Sequence, residues 1–426
     1  MAQYKVTVFT GSMVQAGTMN KLYIKLVGAE GESDHRWLAN LKGGFYQGAA
    51  DLFTVCCSAP LGRLLLVELD KKPLPLMPQD AWFCSKVTVE TPEGETAHFP
   101  VYRWISDLEK HLFREGTAYR VFDEKHPLAI YCREKELKSR LLIPHTRYTL
   151  QINFLARLLL ISKDGVFTQF AASGGEGMFT ILQRAVSSLT YSSLCLPEDI
   201  AARGLESIPN FYYRDDGLRL GYDPQVCMLL WDMIHRLVQG VIGHYYKSDF
   251  DVQQDSELQN WIKDIFIHGF LSRASSGVPQ SLDTVKELVK IVTVAIFTGS
   301  AQHSAVNSGQ FDYGSWMPNT PITLQLPPPS GKGQCNEALL FRTLPDVNTT
   351  VQGMSMMWLL SKQYPDFVRL GEYPEGHFSE DAPCRLIKTF QAELKAFSQS
   401  VKARNSGLDV PYTYLDPELI ENSVAL

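Results

Sequence analysis

The spacing of apolar residues changes part-way along this chain, and that change constrains its fold more than any other feature. Before residue 108, apolar residues come in short runs or at alternate positions, in segments 5–10, 21–27, 53–58, 63–69, 83–90 and 98–104. A period of two points every second side chain to one face, as in a half-buried strand. Gly11, Gly17, Gly28, Gly31, Gly43, Gly44, Pro60, Asp70, Pro92 and Gly94 fall between these segments and supply turns. Regular short strands with such punctuation predict an antiparallel sandwich. After residue 141 the apolar spacing becomes three and four, in segments 146–163, 179–191, 224–246, 256–273, 282–310, 351–364 and 383–405. That is the spacing of amphipathic helices. Thr284 and Glu287 occupy capping-box positions near the start of one of them. The charged stretch 108–140 lies between the two regimes, with 133–140 a polar helix or linker, and the Pro- and Gly-rich residues 327–333 form a connector. The chain is therefore predicted to be a multidomain α and β protein. An N-terminal antiparallel β-sandwich occupies 1–115, a linker 116–140 and an all-helical body 141–426.

Composition narrows the function. With 426 residues, 45% of them hydrophobic, there is material for two or three domains with real cores. A net charge of -6 argues against a general nucleic-acid binder, so no nucleic-acid partner is expected. No apolar run approaches the ~18 residues of a membrane span, and the N-terminus alternates like a strand rather than carrying a secretory pattern. The 8 cysteines are scattered with no CxxC, the pattern of reduced cytosolic thiols. A cytoplasmic location follows as the expectation. No GxSxG elbow is present, which removes the serine-hydrolase reading.

The richest stretch chemically is Ser300-Ala-Gln-His-Ser-Ala-Val-Asn307. On a continuous helix, Leu288, Val292, Ala295, Gly299, His303 and Asn307 share one face, so an apolar stripe runs into an imidazole and a carboxamide. Residues at i and i+4 are surface neighbours, and both can reach one ion. Taken alone, the pair reads first as a hydrogen-bonded core histidine beside a polar asparagine. The chain finishes on the apolar Val424-Ala-Leu426, which is either a loose end or a tucked one whose carboxylate needs a cation.

With Leu142-Ile-Pro-His-Thr-Arg-Tyr-Thr-Leu-Gln-Ile-Asn153, Phe211-Tyr-Tyr-Arg-Asp-Asp-Gly217, Ser275-Ser-Gly277 and Trp316-Met-Pro-Asn319, these residues resemble the animal lipoxygenases. The wording is nearest the branch of the type B 15-lipoxygenases and epidermal lipoxygenases. The resemblance implies a helical domain holding one non-haem iron that dioxygenates polyunsaturated fatty acids with O2 to hydroperoxides. It makes His303, Asn307 and the carboxylate of Leu426 iron ligands, Leu standing where the family ends in Ile. It also implies that the sandwich is a PLAT domain that docks peripherally on membranes, often with calcium. Gly17, Asn40 and Asp80 then sit in calcium-binding loops, although Ala39 and Gly44 stand where relatives often place acidic residues. Trp37 and Trp82, read as loop residues, become membrane anchors, since indole favours the headgroup region.

One departure bears directly on activity. The family's first two iron ligands form a His-x4-His pair, and none of the 10 histidines here has that spacing to another. Under the resemblance, Arg140 and Leu141 join places that lie far apart in a complete lipoxygenase, and the block carrying that pair is missing. The expectation is a weakly active or inactive chain. The alternatives are a non-enzymatic lipid-binding protein or a regulatory partner of a full-length lipoxygenase, and a hydroperoxide isomerase, which needs the same iron.

Overall fold

The computed structural model describes residues 2–40, 43–73, 80–116, 119–142, 189–204, 224–321, 323–361, 367–373, 378 and 380–422. The chain divides into two compact units, one of residues 1–142 with 373–385, the other of residues 143–372 with 386–426.

The first unit contains a two-sheet β-sandwich. Its described strands are β1 (Ala2–Thr10), β2 (Lys21–Gly28), β3 (Arg36–Trp37), β4 (Ala50–Cys57), β5 (Leu64–Lys72), β6 (Trp82–Glu90), β7 (Thr96–Ile105) and β8 (His111–Arg114). One sheet runs β4-β1-β6-β7 and the other β3-β2-β5-β8, and every pairing is antiparallel. The alternation read in the sequence is the packing rule. Tyr4, Val6 and Val8 of β1 and Val87 and Val89 of β6 face Leu22, Ile24 and Leu26 of β2 and Val67 and Leu69 of β5 in one core. Each such side chain contributes roughly 1.5–3 kcal/mol by leaving water. The six segments expected as strands are all strands. The two-residue β3 and four-residue β8 were not legible, because neither carries a run long enough to show a period.

The helix Pro127–Leu142 follows the sandwich and contains both Arg140 and Leu141, so the polar stretch 133–140 is helical. Cys132 packs with Val27, Leu66 and Leu112 on the outer face of the second sheet. Glu136 Oε2 accepts from Arg114 Nη2 at 2.9 Å and Nε at 3.2 Å. The outer face of this sheet is therefore partly covered.

The second unit is helical. The expected helices 146–163 and most of 179–191 lie outside the described residues. Pro224–Tyr245, Ser256–Asp264, Val347–Ser361 and Asp381–Asn405 match expected segments to within a few residues at most ends. The segment 256–273 is shorter as α-helix than its period suggested. It passes into a π turn at Ile265–Gly269 and then breaks where Leu271 and Ser272 take φ of 54° and 56°. Thr284 caps the helix Val285–Phe297 as the sequence indicated: its Oγ1 accepts from Glu287 N at 3.1 Å and Glu287 Oε2 accepts from Thr284 N at 3.1 Å. This helix packs on Pro224–Tyr245, with Trp231 edge-on to Phe297 at 5.2 Å.

Gly28 closes β2 where no side chain fits. A Cβ there would lie 2.1 Å from the Leu61 carbonyl oxygen, and Gly28 N already donates to Gly31 O at 2.8 Å. Gly28→Ala should lower stability by about 1–3 kcal/mol, the cost of overpacking, read as a drop in the urea midpoint with an unchanged slope.

Candidate functional site

Two regions carry the chemistry expected from the sequence, one in each unit. In the sandwich, Gly17 and Asp80 line a cleft of about 620 Å³ together with Met19, Tyr46 and Trp104. Thr18 N donates to Phe45 O and Phe45 N to Thr18 O, both at 2.8 Å, which pins the strand of backbone that holds Gly17 against residues 45–47. A Cβ on Gly17 would meet Phe45 O at 2.6 Å, so the close approach requires glycine. Asp80 is engaged on both carboxylate oxygens: Oδ1 accepts from Thr18 Oγ1 at 2.6 Å and Asn20 Nδ2 at 2.7 Å, and Oδ2 from Met19 N at 3.2 Å. Asn40 does not line this cleft; its Nδ2 donates to Gly44 O at 2.9 Å.

The residue that sequence reasoning missed is Lys71. It is 0% exposed, its ammonium donates to the Asp80 main-chain oxygen, and it stands 3.7 Å from Asp80 Oδ1. The period of β5 was the available signal, because Lys71 falls two positions after Leu69 on the core-facing side. Calcium takes six to eight oxygens with several carboxylates among them. The lining of this cleft offers one carboxylate, and that one is already bound by hydroxyl, amide and ammonium donors. As arranged, these groups do not fit calcium.

Of the two indoles expected at a surface, Trp37 is 53% exposed on β3, with Lys21 Nζ 5.0 Å from its ring. The reading of Trp82 is corrected. It lies on β6, not in a loop, is 0% exposed, and donates from Nε1 to Thr10 Oγ1 at 3.1 Å. Buried indole finds a polar partner and serves the core.

In the helical unit, the expected single helix is interrupted by a π turn at Thr298–Gln302, followed by His303–Asn307. Such turns hold one residue more than an α turn and concentrate at functional sites. The single stripe read from the sequence is not one buried face. Leu288 is buried, whereas Val292, Ala295, Gly299 and His303 are half-buried beside the fully buried line of Val294, Phe297 and Ala301. Among the described residues, Thr298 Oγ1 and Gln302 Oε1 are buried with no hydrogen-bond partner. Ser304 Oγ donates to Tyr414 O at 2.7 Å and ties the helix to the last described stretch. That stretch is well packed: Leu415 and Ile420 are 0% exposed, and Asn422 N donates to Val368 O at 2.7 Å. The Asn307 side chain and Leu426 lie outside the described residues.

The match to known proteins follows this division. The PLAT/LH2 domain family matches residues 4–122 and the Lipoxygenase family residues 137–411. The chain belongs to the lipoxygenase family. It is 42% identical over 407 residues to polyunsaturated fatty acid lipoxygenase ALOX15B of Homo sapiens, covering 92% of this chain and 57% of that protein. To hydroperoxide isomerase ALOXE3 of Homo sapiens it is 41% identical over 384 residues, covering 86% of this chain and 50% of that one. It thus spans little more than half the length of these relatives. A coral 8R-lipoxygenase, described as calcium-activated through a C2-like domain, shares its fold at a TM-score of 0.81 and 19% identity over 100% of each chain.

The family implies non-haem iron, which needs about three protein ligands. Among the described residues, His303 belongs to no group of three histidine, cysteine or carboxylate donors able to hold a metal.

Asp80→Asn removes the counter-charge of Lys71 and should cost about 1–3 kcal/mol. Burial pushes the Lys71 ammonium below its ordinary value of 10.5, and Asp80 opposes this. The unfolded chain then holds this proton to higher pH than the folded one, so stability rises with pH in the range just below 10.5. Urea titrations across that range should show a steeper rise for Asp80→Asn than for the wild type.

Proposed function

We propose that this chain derives from a fatty-acid dioxygenase and does not itself sustain turnover. The observation that carries the reading is His303, a single imidazole on a π-interrupted helix in a sequence with no His-x4-His pair. In a complete lipoxygenase the iron supplies the hydrogen abstraction and the protein aims the substrate. Here the retained parts are the sandwich, His303 with Asn307, and the approach to Leu426, while Arg140 and Leu141 mark the proposed internal junction. A hydroperoxide isomerase needs the same iron and falls with it.

The test is metal analysis of the purified chain together with oxygen uptake on arachidonate and linoleate. The expected outcome is iron well below one per chain and no product above a His303→Ala control. Stoichiometric iron with turnover that His303→Ala abolishes would overturn the reading.

A second reading rests on the exposed indole. Trp37, flanked by Lys21 and Arg36, presents an aromatic ring with cations, the combination that binds an anionic lipid surface. Among the described residues no helix is long and apolar enough to cross a membrane, so the proposed association is peripheral. The exposed Trp316, Phe341 and Val347 of the helical unit are the proposed contact with a full-length lipoxygenase. In co-sedimentation with phosphatidylserine-containing vesicles, Trp37→Ala should weaken binding several-fold without changing the melting temperature. Trp82→Ala should do the reverse, lowering stability by about 3–5 kcal/mol. Calcium should leave the wild-type binding unchanged.

A further inference from the structure

The outer face of the second sheet gathers three metal-ligating side chains that neither the iron site nor the calcium loops include. Glu68 and Asp70 are two apart on β5 and therefore point to the same face. Across the sheet, β2 lies between β5 and β3, with Tyr23 opposite both Asp70 and Trp37, and Lys25 opposite Glu68. His35, just before β3, is brought beside them by this register. Its Nε2 touches Asp70 Oδ1, and one donor atom from each of His35, Glu68 and Asp70 lies within 4.8 Å of the other two. The carboxylates are not loosely solvated: the Asp70 side chain is 6% exposed and that of Glu68 14%. The His35 ring is stacked flat on Tyr23, at 5.0 Å and 8° between planes, which fixes the direction of its nitrogens.

The neighbouring cations leave this pair of carboxylates under-compensated. Lys25 Nζ is bound to Glu32 at 2.6 Å, Lys72 Nζ lies over the Tyr23 ring at 4.6 Å, and Arg36 reaches Asp34 at 3.3 Å. Among the described lysines and arginines, Lys110 is the one bonded to the cluster, with Nζ 2.8 Å from Glu68 Oε1, and its side chain is 64% exposed. A flexible, solvated ammonium is readily displaced by a divalent ion.

We propose that His35, Glu68 and Asp70 form a zinc-binding site on the outer face of the sandwich. One imidazole and two carboxylates are zinc donors, and three protein ligands leave a fourth position for water. The two carboxylates neutralise the ion. The imidazole discriminates against calcium, which prefers an all-oxygen shell. The site joins β3 to β5, two strands not paired with each other, so the ion clips the short edge strand to the sheet.

Titration calorimetry of the full chain with zinc chloride, in excess calcium, tests this. One zinc per sandwich is expected, unchanged in His303→Ala. His35→Gln keeps a hydrogen-bond donor for Asp70 but offers a poor zinc ligand. It should keep the wild-type melting temperature without zinc and weaken zinc binding by more than the ~10–100-fold that loss of an outer-shell partner costs. Lys110→Gln removes the competing ammonium and should tighten binding several-fold. Zinc binding that is absent in the wild type, equal in His35→Gln, or lost in His303→Ala instead would overturn the proposal.

Discussion

The interface between the two sheets is the constraint on which the first unit depends. Side chains from β1 and β6 interleave with those of β2 and β5, and a one-residue slip of any strand would turn its apolar set to solvent. Register fixed in this way places the charged groups of the sandwich discussed above. It puts Lys71 inside, where Asp80 answers its charge, and it puts Glu68 and Asp70 outside on one row. The buried ion pair and the carboxylate row are opposite sides of one strand, set by the same alternation.

That alternation also explains how much could be read from the sequence. Six of the eight described strands announced themselves, because five or more residues suffice to show a period of two. The β3 and β8 strands are held by their neighbours' hydrogen bonds, not by their own pattern, and were invisible. The capping box at Thr284 and Glu287 was legible because it is local chemistry at a fixed spacing. The π turn was not, since a helical wheel assumes 3.6 residues per turn throughout. Trp82 was misread for a related reason: an indole beside a turn signal looks like a loop residue, and only the pairing of β6 with β1 and β7 shows that its ring belongs to the core.

The candidate site was legible in identity but not in arrangement. His303 stood out from its surroundings in sequence, and the sandwich could be recognised as a PLAT domain. What no local pattern conveyed was occupancy of Asp80 by Thr18, Asn20 and Lys71, because those donors come from positions 62, 60 and 9 residues away along the chain. Long-range hydrogen bonds of this kind decide whether a carboxylate is free for a cation. The missing His-x4-His pair, by contrast, is a fact of composition and spacing, and it needed no structure.

The π turn at Thr298–Gln302 has a geometric consequence for the imidazole that follows it. Deleting one of those five residues would let the segment wind back into regular α-helix with His303 aimed nearly as before, whereas rewinding all five as α-helix would swing it by about 100° around the helix axis relative to Val285–Phe297. The aim of the histidine is thus stored in the width of a turn that carries neither imidazole nor carboxylate. A change that tightened this turn without shortening it would redirect the side chain while leaving its chemistry untouched.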